Sequence, residues 1–310
     1  MSSELQVEAI RSLAELDALG GEWNELLTRS RNRSAFLSFE WIRAWVQAYL
    51  GNESELFVLL VKNDGSLFGL APWRIVRRQG VLFPLRRIEF LGAEGAASDH
   101  LDVICKAGKE ENVVSSIYGF LYGEGRALWD TLRLSDLQAT SALIPHLMKC
   151  VDRDGKYVSV APSSYCPQFR LPGSADDLLQ AKSHKHRRNF TRDWERFLAS
   201  GTVEFERISG NGARLLDSFE SIYGFHEANY GSNPRIRVLF EALFSRPGGE
   251  DLCRIDVVRV DGLLLGGFIQ LAMADRIGLY VVAINREAGG SATRVVPMLL
   301  RHVQIGRAHV

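Results

Sequence analysis

The chain has 310 residues, 46% of them hydrophobic and 24% charged, which is ordinary for a soluble globular protein. Its length predicts about two domains. Lysine and arginine together number 37 and are balanced by 37 aspartates and glutamates, so no net field attracts nucleic acid or an anionic membrane. Any basic site must therefore be local, and we expect no DNA partner.

The cysteines and the apolar runs narrow the class of protein further. The four cysteines are scattered and form no CxxC pair, which argues against both a zinc site and a disulfide framework. The N-terminal residues lack the charged and apolar regions of a signal peptide, and the longest apolar run is too short to span a bilayer. We therefore expect a reduced, cytoplasmic protein.

The first half of the chain opens with helical and strand patterns. Residues 5–10 predict a strand, and residues 13–29 predict an amphipathic helix. A second helix, residues 39–50, carries aromatic side chains at every fourth position, as a core-packing face does. Two apolar runs, 55–62 and 67–76, then flank Asp64-Gly65, and Asp-Gly between such runs is a strong hairpin signal.

A loop of small residues follows the next predicted strand, residues 86–91. This loop, residues 92–100, ends in Asp99 and His100 and precedes a predicted strand at 101–105. Asp99 is a candidate catalytic residue, because a flexible loop could point it into a cleft between the two halves. The alternative is an exposed loop residue, since Asp is common in turns. A helix at 110–122, a helix through Leu147 and strands at 129–134 and 157–161 complete the predicted first half.

The second half begins with a strongly basic run after a linker at residues 161–167. Residues 182–192 hold five Lys or Arg and two His, with no acid before Asp193. If a helix begins at Ser183, these cations oppose its dipole and an anionic ligand would relieve the conflict. Arg187 and Arg188 are then the candidate phosphate ligands, because Arg grips phosphate with two donors. If one helix instead spans residues 175–200, the run is a solvated face.

The pattern of the first half then recurs. A strand at 202–208 and helices at 213–230 and 235–244 lead to a three-strand meander at 251–284, with Asp261-Gly262 at its first turn. Its middle strand is almost uniformly apolar, as expected for a strand buried on both faces. Two helices followed by an Asp-Gly hairpin thus occur twice, which predicts a duplicated domain.

These residues resemble a known family. The two repeats, Leu91-Gly92 with Ser98-Asp99, the basic run from Ser183 and the helix carrying His226 are similar to the CelD/BcsL group of acetyltransferase-like proteins. That group belongs to the GNAT superfamily, whose tandem arrangement is also seen in FemABX aminoacyltransferases. The resemblance implies an α/β fold of tandem duplicated GNAT-like domains with mixed, mostly antiparallel sheets. The expected domains are residues 1–165 and 166–310.

The resemblance also implies a reaction. It is transfer of an acyl group, in particular acetyl, from acyl-CoA to an amine or hydroxyl of an exopolysaccharide or cell-envelope precursor, without a metal. The donor pyrophosphate would meet backbone N–H groups where a helix follows the central strands. The sequence departs from the family's Ser-Pro-Gly-like step at residues 293–297. The matching donor-binding positions are Gly289, Gly290, Ser291, Thr293 and Arg294.

Two further side chains are candidates for catalysis. His226 could act as a general base, since histidine titrates near neutrality, and Tyr280 could protonate the leaving thiolate. Each has a packing alternative, because His226 shares a helical stripe with aromatic residues and strand tyrosines usually pack. The largest catalytic contribution in this superfamily is carbonyl polarisation by a strand N–H, which leaves no side-chain signature.

Two alternative functions stay open at this stage. The basic run could instead bind aminoacyl-tRNA in a FemABX-like transferase, or the chain could be a catalytically degenerate scaffold that binds a polysaccharide-synthesis partner. Transfer from acyl-CoA to an envelope precursor is also compatible with peripheral association with envelope-synthesis machinery. Residues 305–310 can be encoded by a sequence resembling a common sequencing adapter, so we expect the natural protein to continue beyond them.

Overall fold

The computed structural model describes residues 5–80, 83–168, 170, 174–273, 276–288 and 295–299. The chain divides into two compact units, Met1–Tyr165 and Cys166–Val310. Each unit has its own β-sheet. Among the described residues, no helix is long and apolar enough to cross a membrane.

The first unit has a six-stranded sheet in the order β1-β2-β3-β4-β6, with the short strand β5 paired to β3. Its pairs are antiparallel except for β4 and β6, which are parallel. The elements in chain order are β1 (Gln6–Ile10), α1 (Leu13–Asp17), α2 (Gly20–Thr28), α3 (Phe39–Tyr49), β2 (Ser54–Asn63), β3 (Ser66–Gln79), β4 (Pro84–Phe90), β5 (Ile104–Cys105), α4 (Glu110–Tyr122), β6 (Thr131–Leu132) and α5 (Leu143–Arg153).

The second unit has a four-stranded antiparallel sheet in the order β10-β9-β8-β7. Residues 295–299 are also helical. The elements in chain order are α6 (Ala175–Gln180), α7 (His184–Leu198), β7 (Val203–Ile208), α8 (Gly212–Tyr230), α9 (Pro234–Phe244), α10 (Gly249–Leu252), β8 (Cys253–Val260), β9 (Leu263–Met273) and β10 (Arg276–Ile284).

The central hairpins of the two sheets share one geometry. Asp64-Gly65 and Asp261-Gly262 all have positive φ, between 47° and 79°, as a type I′ turn requires. Each hairpin has a register shift at the same place, which leaves Phe68 or Leu265 unpaired before a glycine. The sequences Asp-Gly-x-Leu-x-Gly at 64–69 and 261–266 therefore specify the same turn and the same bulge. The predicted duplication is confirmed at this level of detail.

Helices cover the second sheet on both faces. On one face, Phe197 of α7 and residues 295, 298 and 299 form a buried cluster with Val258 and Phe268. On the other, Ile222 of α8 lies so close to Gly267 that an added Cβ would come within 2.6 Å of its side chain. The middle strand β9 is buried on both faces from residue 265 to 271, as its apolar run predicted.

The predicted helix at residues 13–29 is wrong in one respect, because it is two helices. Ser12 and Glu15 form a capping box that starts α1, and the chain turns at residues 18–19 before α2 begins. The break comes directly before Gly20-Gly21, the first two residues of α2, and glycine has a low helix propensity. At Gly20 an added Cβ would lie 3.1 Å from the Phe39 ring, so the glycine also permits close packing of α3.

Two predicted strands are also wrong. Only Ile104–Cys105 of the segment at 101–105 is a strand, because the N–H of Leu101 donates to the carbonyl of Asp136 at 3.0 Å instead of to a neighbouring strand. Residues 157–161 are not a strand, and Tyr157 is 92% exposed. Alternating apolar residues specify a strand only where a sheet offers a place to bury them.

Candidate functional site

The edge strand β10 carries an irregularity at Tyr280. Leu279 pairs with Gln270 and Val281 pairs with Ile269, so the register of the ladder shifts at Tyr280. The Tyr280 ring packs 5.5 Å from that of Phe240 on α9. Among the described strands β10 pairs only with β9, so the outer edge of β10 belongs to no described ladder. This edge can offer backbone N–H groups to a ligand.

His226 lies on the face of α8 that packs against the sheet. It follows Ile222 by one helical turn, and its ring lies between those of Tyr223 and Tyr230, at 5.6 and 4.9 Å. Its Nδ1 is buried and has no hydrogen-bond partner among the described residues. A buried acceptor or donor without a partner is costly, so this atom is available for a further hydrogen bond.

A series of ring contacts links the two predicted catalytic side chains. The rings of Tyr223 and Phe219 are 5.1 Å apart, and Phe219 and Phe240 are 4.3 Å apart. Phe240 in turn contacts Tyr280. His226 and Tyr280 thus belong to one aromatic layer between α8, α9 and the sheet. Both residues therefore have the packing role that was the alternative to a catalytic one. The layer also places them on the same face of the second sheet.

Asn229 and Asn285 fix the chain where β10 ends, and the sequence reasoning missed both. The Asn229 Nδ2 lies 2.7 Å from the carbonyl of Phe225 and 3.5 Å from that of Ile284, the last residue of β10. Asn285 donates from its backbone to Leu265 at 2.8 Å and from its side chain to Leu264 at 3.2 Å. The sequence signal for Asn285 was its position directly after an apolar strand. There an Asn side chain can replace the backbone hydrogen bonds that end with the strand.

The predicted donor-binding segment follows at once. All five of its predicted residues, Gly289, Gly290, Ser291, Thr293 and Arg294, lie outside the described residues. The chain is described again at residues 295–299, which are helical and have Val295, Met298 and Leu299 buried in the core. A helix therefore does follow β10, as the anion-binding hypothesis requires.

The basic run begins a helix of its own. Ser183 is the N-cap of α7, and its Oγ accepts from the N–H of His186 at 3.4 Å, whereas α6 ends at Gln180. The single helix over residues 175–200 is therefore excluded. The first turn of α7 contains no acidic residue, so its cations do oppose the helix dipole.

The two candidate arginines of α7 differ in their surroundings. Arg187 donates from Nη1 to the carbonyls of Gln180 and Lys182, at 2.9 and 3.0 Å, and so satisfies backbone groups left free at the end of α6. Arg188 is exposed and has no partner among the described residues. Arg188 is the better placed of the two for an external anion.

A buried polar cluster in the second sheet was also missed. Asp256 is fully buried and accepts from Arg207 at 2.7 and 3.2 Å, and Gln270 also donates to it. The Gln270 Oε1 is buried without a partner among the described residues. The cluster spans β7, β8 and β9. The sequence showed polar residues within these strands, but it could not show that three of them, on three different strands, meet on one face.

Asp99 belongs to a pocket in the first unit. This β4–β6 pocket has a volume of about 340 Å³ and lies where the parallel strands β4 and β6 end. Two segments form its walls, residues 93–99 after β4 and residues 133–136 after β6. The Trp41 Nε1 donates to the Ser98 Oγ at 3.0 Å, which fixes one wall to α3. The predicted site residues thus fall in both units, with Asp99 in the first and the others in the second.

Among the described residues, no group of three or more His, Cys, Asp or Glu could hold a metal ion. The described groups near the end of β10 are backbone amides, His226, Tyr280 and the two asparagines. These groups can polarise a carbonyl, accept a proton and donate one.

Residues 184–307 match the sequence model of the acetyltransferase (GNAT) domain family. No curated protein sequence matches the chain. The solved structure of FemX is similar in fold, with a TM-score of 0.57 and 9% identity over 96% of this chain and 86% of that chain.

Two more solved structures are similar to this chain with lower TM-scores. A conserved protein of unknown function from Bacteroides thetaiotaomicron VPI-5482 has a TM-score of 0.47 and 10% identity over 98% of this chain and 88% of that one. A ribosomal-protein-alanine N-acetyltransferase from Brucella melitensis biovar Abortus 2308 has a TM-score of 0.30 and 16% identity over 54% of this chain and 99% of that one. The chain therefore has a fold of tandem duplicated GNAT-like domains, and residues 184–307 in its second unit match the acetyltransferase (GNAT) domain family.

Proposed function

We propose that this protein transfers an acyl group, in particular acetyl, from acyl-CoA to an amine or hydroxyl of an exopolysaccharide or cell-envelope precursor, as a CelD/BcsL-like enzyme of the cytoplasm. The observation that carries the proposal is the match of residues 184–307 to the acetyltransferase (GNAT) domain family, which spans the whole sheet from β7 to β10. The acceptor class rests on the resemblance in sequence motifs alone.

The donor would lie along the free edge of β10. The thioester carbonyl would lie beside the register shift of β10, where a backbone N–H of that strand would donate to it and stabilise the negative charge that develops on its oxygen. The acceptor amine or hydroxyl attacks the carbonyl carbon, and His226 accepts the proton that the acceptor loses. The carbon–sulfur bond then breaks, and Tyr280 protonates the leaving thiolate. The products are the acylated acceptor and free CoA.

The phosphates of the donor would lie beside the segment between β10 and the helix at residues 295–299. Backbone N–H groups at a helix start bind phosphate readily, and Gly289, Gly290, Ser291, Thr293 and Arg294 are the residues proposed to supply this site. Arg188 is proposed as a further phosphate ligand because its side chain is exposed and unpartnered among the described residues. Arg187 remains a weaker candidate, since it already binds backbone carbonyls.

Turnover tests this proposal. Release of the CoA thiol from acetyl-CoA is followed with and without an amine acceptor such as glucosamine, for the wild type and for His226→Gln and Tyr280→Phe. We expect acceptor-dependent release that falls by about a hundredfold in His226→Gln, a typical loss for a general base. Ser221→Ala is a matched control, because Ser221 is an exposed residue of the same helix. Equal rates in the wild type and both variants would exclude the assigned roles.

A second candidate function is transfer from aminoacyl-tRNA, as in FemABX-like enzymes. The exposed cations at the start of α7 favour it, since no acidic residue offsets them in the first turn. Such binding would weaken steeply with salt, because each phosphate contact releases a counterion. A titration with tRNA at two salt concentrations separates the candidates. Affinity that is independent of salt would exclude the tRNA function.

A further inference from the structure

Helix α7 carries a row of cations that runs along most of its length. The row consists of Lys185, Arg188, Arg192 and Arg196, which follow one another at spacings of three, four and four residues. Side chains at such spacings lie on one face of a helix. At about 1.5 Å per residue this basic row is about 16 Å long. It therefore extends from the first turn of α7 to its last.

The opposite face of α7 is the one that packs on the second sheet. Phe197 is buried there, and Phe190 and Trp194 pack against the same core cluster. Arg192 lies two residues after Phe190, and Arg196 lies two residues after Trp194. Two residues correspond to about 200° around a helix, so the basic row faces away from the core. All four of its side chains are exposed.

The charges of the basic row are largely uncompensated within the described part of the chain. Residues 182–196 contain six Lys or Arg but only two acids, Asp193 and Glu195. The one ion pair that α7 makes among the described residues joins Arg192 to Asp193 at 4.0 Å. On β3 and β4, by contrast, four arginines each have a carboxylate within 3.1 Å, namely Arg74, Arg78, Arg86 and Arg87. The excess of positive charge on α7 is thus a local property of this helix.

The shape of this surface favours one kind of anion. The basic row lies on the convex side of a single helix, and a convex row of cations can contact a flat anionic surface along its whole length. Groups of four or more Lys or Arg on an amphipathic helix are typical of proteins that bind anionic lipid headgroups. Single-stranded RNA, by contrast, is bound by exposed aromatic side chains together with cations. The aromatic side chains of α7 are instead packed against the core.

We propose that the basic row of α7 binds the surface of an anionic lipid membrane, with the helix lying parallel to that surface. Arg188 is also the proposed ligand of the donor phosphates, and one guanidinium cannot serve both anions fully at once. The contact with lipid therefore depends chiefly on Lys185, Arg192 and Arg196, and the exposed Lys182 just before the helix adds a further cation. This inference does not depend on the proposed acyl transfer.

Sedimentation of the full chain with lipid vesicles tests this inference. The vesicles contain phosphatidylcholine alone or phosphatidylcholine mixed with phosphatidylglycerol, which is anionic. A row variant combines Lys185→Gln, Arg192→Gln and Arg196→Gln and retains Arg188. A second variant, Lys185→Arg with Arg192→Lys and Arg196→Lys, keeps every charge. The matched control combines Arg33→Gln, Arg133→Gln and Lys156→Gln, which removes the same charge from exposed positions of the first unit.

We expect the wild type, the charge-keeping variant and the control to bind the anionic vesicles, and high salt to release them. The row variant should bind about a hundredfold more weakly, because each basic residue near an anionic surface contributes about fivefold. Equal binding of the row variant and the control would overturn the inference.

Two further measurements separate this inference from the other proposals. Binding of the wild type to tRNA but not to anionic vesicles would overturn it in favour of an RNA partner. Titration with acetyl-CoA tests the proposed function independently, and the row variant should bind acetyl-CoA as the wild type does because it retains Arg188. Vesicle binding without acetyl-CoA binding would support the membrane surface and contradict the proposed function, and the reverse result would do the opposite.

Discussion

Arg74 and Glu89 lie opposite each other on β3 and β4, with Nη2 and Oε2 2.9 Å apart and both side chains almost fully buried. The Arg74 guanidinium also stacks on the ring of Trp45 at 4.8 Å. Burial alone would raise the pKa of Glu89, but the bond from Arg87 and the charges of Arg74 and Arg78 lower it overall. The pair is thus part of a connected network beneath the β4–β6 pocket.

Removing the charge of Glu89 should destabilise the protein strongly. In Glu89→Gln the buried Arg74 loses its buried charged partner and keeps only the exposed Glu94 at 3.5 Å, and such a loss costs about 3–5 kcal/mol in comparable buried pairs. Denaturant unfolding measures this change in the free energy of unfolding. Glu8→Gln is the control, since Glu8 pairs with Lys62 at 2.8 Å on the surface, and such pairs contribute about 1 kcal/mol or less. A similar small effect at both positions would refute the network's structural role.

The buried carboxyl of Asp102 predicts a specific pH dependence of stability. Burial raises its pKa to about 6, although hydrogen bonds from Ser141, Asn32 and the N–H of Val103 oppose the rise. The unfolded chain has a pKa near 4 at this residue, so between about pH 4 and 6 the folded state binds more protons. The free energy of unfolding therefore falls as pH rises through this window, by roughly 3 kcal/mol in all.

Asp102→Asn tests that dependence, because asparagine resembles the protonated acid and does not titrate. Relative to the wild type, this variant should lose the decline in stability between about pH 4 and 6. Urea unfolding at the two ends of this range gives the comparison. An identical pH dependence in the two proteins would show that Asp102 stays ionised throughout.

Gly267 sets the distance between α8 and β9, and hence the position of His226. In Gly267→Ala the added Cβ would meet the Ile222 side chain at 2.6 Å and the Asp256 carbonyl at 2.7 Å, and the backbone atom cannot move aside easily. We expect a loss of about 1–3 kcal/mol in the free energy of unfolding. Gly224→Ala on α8 is the matched control. It has open space, and it should stabilise the helix by about 0.5–1 kcal/mol. A stabilising effect at both positions would show that α8 tolerates displacement.

The segment before the second unit should be the first site of proteolysis. Tyr157 and Tyr165 are 92% and 91% exposed, and the residues between them form neither helix nor strand. Exposed segments without secondary structure are cleaved most readily. Limited chymotrypsin digestion followed by mass spectrometry should therefore yield two fragments divided near residues 157–165. Early cleavage inside α4 or β9 would contradict the proposed domain boundary at 165/166.

Local signals accounted for much of the fold. Asp-Gly flanked by apolar runs predicted both hairpins, and α4 has the predicted bounds of 110–122, because these features depend on neighbouring residues. The shared bulge before Gly69 and Gly266 was also encoded locally, but only a comparison of the two repeats reveals it. The short extent of β5 was not predictable, since it depends on a hydrogen bond from Leu101 to Asp136 across 35 positions.

The candidate site was less predictable than the fold. Residue type alone suggested His226, Tyr280 and Asp99, but their surroundings come from packing between distant elements. The partners of Asp256, for example, lie on two other strands, and nothing in the local sequence joins Arg207 to Gln270. The roles of Arg187 and Arg188 likewise separate only once α6 is seen to end at Gln180.

The most direct test of the account is calorimetric titration of acetyl-CoA and of plain CoA into the full chain. We expect one site with an affinity in the range of about 1 μM to 1 mM, weakened in Arg188→Ala and Arg294→Ala. Asp99→Asn should bind the donor as the wild type does, because Asp99 lies in the first unit, outside the matched residues 184–307. No detectable binding of either ligand would contradict the acyl-CoA function. It would favour transfer from aminoacyl-tRNA or a scaffold that binds a protein partner.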